Sequence, residues 1–190
     1  MEKIILASNS PRRRELFGLL GLSFEVITKD IEEKIDQQAL PDELVEDLAF
    51  QKAYGVFRDH MDRVVIGFDT LVYTETRILG KPKDTEEAKA MLEELSGKAH
   101  YVVTGVTIMT KERSRTFHTK TRVLFYPLTQ KEITDYIATW EPMDKAGAYA
   151  AQGYGSRFIR EIDGDFFTVV GIPLSRLYQE LKEIGVIASK

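Results

Sequence analysis

Residues 8–16 read SNSPRRREL, directly behind the apolar residues Ile4, Ile5, Leu6 and Ala7. Ser10 is a good helix N-cap, Pro11 suits the first helical position, and Leu16, Leu19 and Leu20 recur at helical spacing. A helix start carries partial positive charge, so each of Arg12, Arg13 and Arg14 costs roughly 0.3–1 kcal/mol there, where an acid would help. A strand entering such a start, with backbone N–H groups and arginines, is a natural anion site. At about 100° per residue, Arg12 and Arg13 flank the direction of Leu16 while Arg14 points nearly opposite. The alternative for the stretch is a solvated basic cluster.

The run VVIGFDTLV (64–72) is apolar on both faces, as a central strand is, except at Asp69 and Thr70. A carboxylate there is costly unless it is paired, hydrogen-bonded or metal-bound. Gly67 shares its face and leaves room beside it. Asp69 reads as functional, against a strand-end turn in which it satisfies backbone groups. In 41–60, Val45, Leu48, Ala49 and Val56 form an apolar stripe with Lys52 in its middle. Lys52 either snorkels to solvent or, placed inward, offers a point charge suited to phosphate. Polar groups also collect in DIEEK (30–34), GKP (80–82) and EPMDKAGAYAAQG (141–153). In the last, Gly147 and Gly153 suit a loop that approaches a ligand closely and displays Asp144, Lys145 and Gln152. Acids for a hard divalent cation, cations for a polyphosphate and an amide for a base edge together describe a nucleotide site.

The elements that must position these residues alternate. Strand-like runs fall at about 3–8, 24–28, 63–73, 77–79, 100–110, 116–126, 156–162 and 166–170, and helix-like ones at about 11–20, 41–60, 84–95, 129–139 and 173–184. That alternation predicts an α/β domain with a mixed sheet, and a hairpin turning near 111–114. The hairpin's Lys111, Arg113, Arg115, Lys120 and Arg122 read as a solvated face rather than a nucleic-acid site. With 190 residues, 43% of them hydrophobic and 29% charged, the chain fits one sizeable domain.

A net charge of −4 argues against broad binding to a polyanion, so any phosphate contact should be local. The absence of cysteine removes disulfides, thiolate metal sites and thiol catalysis. No run approaches membrane-spanning length, the apolar start is too short for a signal peptide, and a cytoplasmic protein with no membrane partner is expected. His60, His100 and His118 have no metal-like spacing. P-loop, Rossmann and nucleophile-elbow motifs do not occur.

Seven motifs in order, SNSPRRREL, DIEE, QKA (51–53), GFDT (67–70), GKP, LSG (95–97) and MDKAGAYAAQG (143–153), make the chain resemble the Maf (septum formation inhibitor) family of nucleoside triphosphate pyrophosphatases. The resemblance covers nearly the whole chain. It implies a mixed α/β fold with an elongated central sheet, similar to inosine triphosphate pyrophosphatases. The whole of 1–190 would be one Maf-like domain of two lobes around a cleft, expected as a homodimer. It further implies hydrolysis of a nucleoside triphosphate to the monophosphate and pyrophosphate with a divalent cation, Mg²⁺ or Mn²⁺.

Carried over by position, Asp69 matches the catalytic aspartate and Glu33 the acid that helps hold metal with it. Ser8, Arg12, Arg13, Lys52 and Lys81 match the phosphate-binding set. Arg13, Thr70 and Gln152 match the triplet of the subgroup acting on dTTP and UTP rather than on 7-methyl-GTP. Whether Asp69 is base or metal ligand stays open, and a modified pyrimidine nucleotide is a further candidate substrate. A non-hydrolysing nucleotide-binding regulator of septum formation is the alternative. Two departures stand out: Phe68 replaces a usually small residue before the aspartate, and AYAAQG replaces AYGIQG. Phe68 should point away from Asp69 on a strand.

Overall fold

The computed structural model describes residues 4–187. Residue 3, where the first predicted strand begins, lies outside the described residues. In chain order the elements are β1 (Ile4–Ala7), α1 (Pro11–Gly18), β2 (Phe24–Val26), α2 (Pro41–Phe57), β3 (Val64–Tyr73), β4 (Ile78–Leu79) and α3 (Thr85–Leu95). There follow β5 (Ala99–Met109), β6 (Ser114–Phe125), α4 (Gln130–Ile137), β7 (Ile159–Asp163), α5 (Phe166–Val170) and α6 (Leu174–Glu183). The strands order β2-β1-β3-β5-β6-β7, with β4 antiparallel on the end of β3. β1 lies parallel to both β2 and β3, with Ala7 opposite Gly67. The sheet is therefore mixed, as the alternation predicted.

Two compact units divide the chain, 1–69 with 104–119 and 171–190, and 70–103 with 120–170. Each has its own core. In the first, Ile5, Ala53, Val56, Val65 and Met109 pack together, and in the second Leu92, Leu95, Val123, Phe125, Tyr136 and Phe158 do so. The second core contains His100, fully buried, with Nε2 2.8 Å from Tyr149 Oη and Nδ1 without a hydrogen-bond partner among the described residues.

Local chemistry explains most boundaries. Asp84 accepts from Glu87 N at 2.8 Å to start α3, and Thr129 and Glu132 form a reciprocal capping box on α4. The 110–113 turn closes the predicted hairpin, with Thr110 N bonded to Arg113 O at 2.9 Å. Two of its cations are engaged within the protein: Arg113 donates to Ile184 O at 2.7 Å and Arg115 to Glu180 at 2.9 Å.

One prediction is corrected. Residues 166–170, FFTVV, are helical and not a strand, despite β-favouring side chains. The Asp165 carboxylate accepts from Thr168 N at 2.8 Å and Phe167 N at 3.3 Å, and this cap turns the segment into one helical turn before apolar patterning can extend it. The predicted strand at 156–162 likewise begins later, because Tyr154–Phe158 is a 3₁₀ turn.

Candidate active site

Six of the nine candidate residues lie in the first unit. Ser10 caps α1 by accepting from Arg13 N at 3.4 Å, as its position predicts. Acids occupy the first turns of α2, α3 and α4, whereas that of α1 holds none, and arginines stand there instead. Arg12 and Arg13 are half-buried and Arg14 is exposed, in keeping with the helical angles. Arg13 is firmly held: Nε donates to Gly171 O at 2.6 Å, Nη1 to Ser8 Oγ at 3.2 Å, and the guanidinium lies 5.5 Å from the centre of the Phe68 ring. Burial pushes its pKa down to about 10 against the opposing pull of Asp69, and Arg12 adds to the lowering. It remains a cation at neutral pH. Phe68, next to Asp69 on β3 and fully buried, serves as a floor for Arg13.

Asp69, on β3, is ion-paired with Lys52 of α2, whose Nζ also lies 3.2 Å from Glu33 Oε1. The Asp69 side chain is only 13% exposed, so the ammonium supplies the pairing that such a carboxylate requires. Lys52 thus faces inward instead of snorkelling away. Glu33 is exposed, on the 27–40 connection, and one neighbour steadies it. The carboxamide of Gln51 accepts from Lys34 N and donates to Lys34 O, both at 2.8 Å, as a strand partner would.

Gly67 explains why Lys52 reaches Asp69. A Cβ there would stand 2.6 Å from Ala49 O and Ala53 N, so the missing side chain admits the backbone of α2. The room expected beside Asp69 is filled by the helix that carries its partner.

Thr70, Lys81 and Gln152 belong to the second unit. Thr70 follows Asp69 along β3 and is half-buried, while Lys81 and Gln152 are exposed. The turn bearing Lys81 and the segment leading to Gln152 are joined by Gly147 N donating to Gly80 O at 3.1 Å. Gly147 has φ 69°, and a Cβ on it would meet Val72 Cγ1 at 2.8 Å, so its close approach is to the protein itself. Gly153 similarly backs onto the Glu141 carboxylate. Lys145 is not displayed as expected: its side chain is 11% exposed and paired with Asp144.

Glu141 organises this loop. Its carboxylate accepts from Tyr154 N and Gly155 N, both at 3.0 Å, and from Tyr136 Oη at 2.7 Å. Burial would raise the Glu141 pKa, but the Tyr136 hydroxyl and the two N–H groups outweigh it and hold the pKa below the usual carboxylate range. Sequence reasoning missed Glu141, although its place just before Pro142 and a Gly-containing loop was a signal. It also missed Gly171 O, for which a backbone acceptor leaves no signal.

Asp69 and Glu33 converge on a cation, here an ammonium. That donor set fits a hard divalent ion of the Mg²⁺ or Mn²⁺ kind, which takes one or two carboxylates and leaves its other positions to water and phosphate. No group of three or more His, Asp or Glu side chains placed to hold a metal occurs among the described residues. Nor, among them, is any helix long and apolar enough to cross a membrane.

Comparison with known proteins bears on the fold and then on the family. The HAM1 protein from Coxiella burnetii has a similar fold, with TM-score 0.56 at 15% identity, covering 96% of this chain and all of that one. Residues 3–184 match the Maf-like protein family, and the chain belongs to it. It is 51% identical over 186 residues to a dTTP/UTP pyrophosphatase of Bacillus cereus, covering 98% of this chain and 97% of that protein. A Bacillus cytotoxicus protein with the same name is 51% identical over 189 residues, 100% of this chain and 99% of its own.

Proposed function

We propose that this chain is a nucleoside triphosphate pyrophosphatase that hydrolyses dTTP and UTP to the monophosphate and pyrophosphate. The relatives named for that activity, matched along nearly their whole length, support it. The observation that carries the chemistry is the Asp69–Lys52–Glu33 cluster, a half-buried carboxylate ion-paired with an ammonium beside a helix start that carries arginines instead of acids. A non-hydrolysing regulator of septum formation needs no such carboxylate and is not favoured.

In this reading the oxygen of a water forms a bond to the α-phosphorus as the bond to the bridging oxygen breaks, and pyrophosphate carries away the electron pair. Asp69 takes the water's proton. Arg12, Arg13, Lys52 and Lys81 offset the triphosphate charge and that of the departing pyrophosphate. Ser8 acts through Arg13, whose Nη1 it accepts. Glu33 and Asp69 would hold a divalent cation, which when bound supplies Lewis acidity toward the phosphate oxygens. Thr70, Gln152 and Arg13 select the pyrimidine base. A single Maf-like domain, a homodimer and a cytoplasmic location complete the proposal.

The test is pyrophosphate release with Mg²⁺ from UTP, dTTP, CTP, ITP, 5-methyl-UTP and 7-methyl-GTP. Release from dTTP and UTP well above the others is expected. Nucleotide binding without release would leave the regulator, and preference for 7-methyl-GTP would remove the base assignment.

A further inference from the structure

We propose that Lys52 is the resident cation of the Asp69–Glu33 pair, that it and a divalent cation exclude one another there, and that nucleotide, by drawing Lys52 away, strengthens the binding of the ion. The inference rests on the reading of Asp69 and Glu33 as the metal-holding acids.

The seat is built around the ammonium from both sides. Lys52 Nζ contacts Asp69 Oδ1 and stands 3.2 Å from Glu33 Oε1. One side is fixed by β3, onto which α2 is drawn at Gly67. The other is fixed by Gln51, the residue preceding Lys52, which clamps both backbone groups of Lys34 at 2.8 Å and itself donates to Asp47 at 2.6 Å. Two adjacent residues of one helix thus hold the carboxylates' cation and the strand-like segment beside Glu33.

A divalent ion must bind the same carboxylate oxygens directly, so Nζ has to leave, since two like charges at that range repel. Its flexible four-carbon stem, 27% exposed, allows the departure. An ammonium expelled from two carboxylates needs another anion, and the triphosphate supplies it. Cation and nucleotide therefore strengthen each other's binding, a coupling that linkage makes reciprocal. Without nucleotide, Lys52 competes with the ion.

The test is a titration of the intact chain with Mn²⁺ alone, free ion being followed by electron paramagnetic resonance, for wild type, Lys52→Met and Lys52→Arg. Lys52→Met should bind Mn²⁺ roughly tenfold tighter than wild type or more, whereas Lys52→Arg, which keeps a cation in the seat, should show no gain. Lys52→Gln replaces Lys52→Met if the latter does not melt cooperatively. Equal or weaker binding by the neutral variant, or the same gain in Lys52→Arg, overturns the proposal. Pyrophosphate release from dTTP by wild type is measured separately: no release with the Mn²⁺ gain intact removes the activity and keeps the exchange, and release without the gain does the reverse.

Discussion

In the first unit, Asp69, Lys52 and Glu33 hold one another by charge, side chain to side chain, and Arg13 is held by Ser8 and Gly171 O. In the second, Lys81 and Gln152 are exposed, and the order lies in the backbone that carries them, fastened by the Gly147–Gly80 bond and by Glu141. The first arrangement suits groups that must meet concentrated charge. The second suits groups that select a partner, because a fixed loop can present a carboxamide without burying it.

The sharpest way to break this contrast is Asp69→Asn. The amide is isosteric but neither pairs with Lys52 as a charge nor takes a proton, so turnover of dTTP should fall about 10²–10⁴-fold. The melting temperature should stay close to that of wild type, because the site is partly wet. Substantial activity in this variant would remove the charged cluster from the chemistry.

Acid probes the second unit. His100 is neutral because burial pushes its pKa down to about 4, from 6.5. Between those values the unfolded chain binds the proton and the folded chain does not, so this contribution is fully present above about pH 6.5. It is lost as pH falls toward about 4, to a total of roughly 3 kcal/mol. Urea unfolding from pH 7 to pH 4.5 should show a declining midpoint, and His100→Gln should flatten the decline. A slope unchanged by that variant would place the acid sensitivity elsewhere.

Next in size is Glu141→Ala. It strips the acceptor from two N–H groups and the Tyr136 hydroxyl, which should cost roughly 1–3 kcal/mol and lower the melting temperature by about 2–4 °C per kcal/mol. If the loop is what presents Gln152, discrimination among pyrimidine triphosphates should fall more than turnover does. Loss of turnover alone, with selectivity kept, would blur the division of labour.

These residues also mark what could be read in advance. The capped start at Ser10 and the central strand interrupted at Asp69 follow from periodicity and the cost of burying charge, whereas periodicity put Lys52 on the apolar stripe of α2 and left open whether it turned inward or snorkelled out. Contacts between elements distant in sequence are harder: Gly67 read as room beside the Asp69 carboxylate because the approach of α2 is a tertiary fact. The 166–170 segment was misread because the Asp165 cap outweighs β propensity over so short a stretch. Gln51 stood inside a recognised motif, yet its hold on Lys34 depends on where the 27–40 connection folds.

The smallest expected effect is the most exacting for the first unit, since it separates adjacent arginines of one run. Arg14 is exposed, whereas Arg13 is fixed at three points and Arg12 is half-buried. Arg14→Ala removes an unfavourable cation from the first turn of α1 and replaces it with a better helix former, so stability should change by less than about 0.5 kcal/mol, in the stabilising direction. The KM for dTTP should stay within about twofold, because an exposed charge turned away from the anion site is screened by solvent and salt. A well-folded Arg14→Ala enzyme with a large rise in KM would mean that the triphosphate reaches around the outer face of α1, and the assignment of Arg12 and Arg13 as the inward pair would have to be reversed.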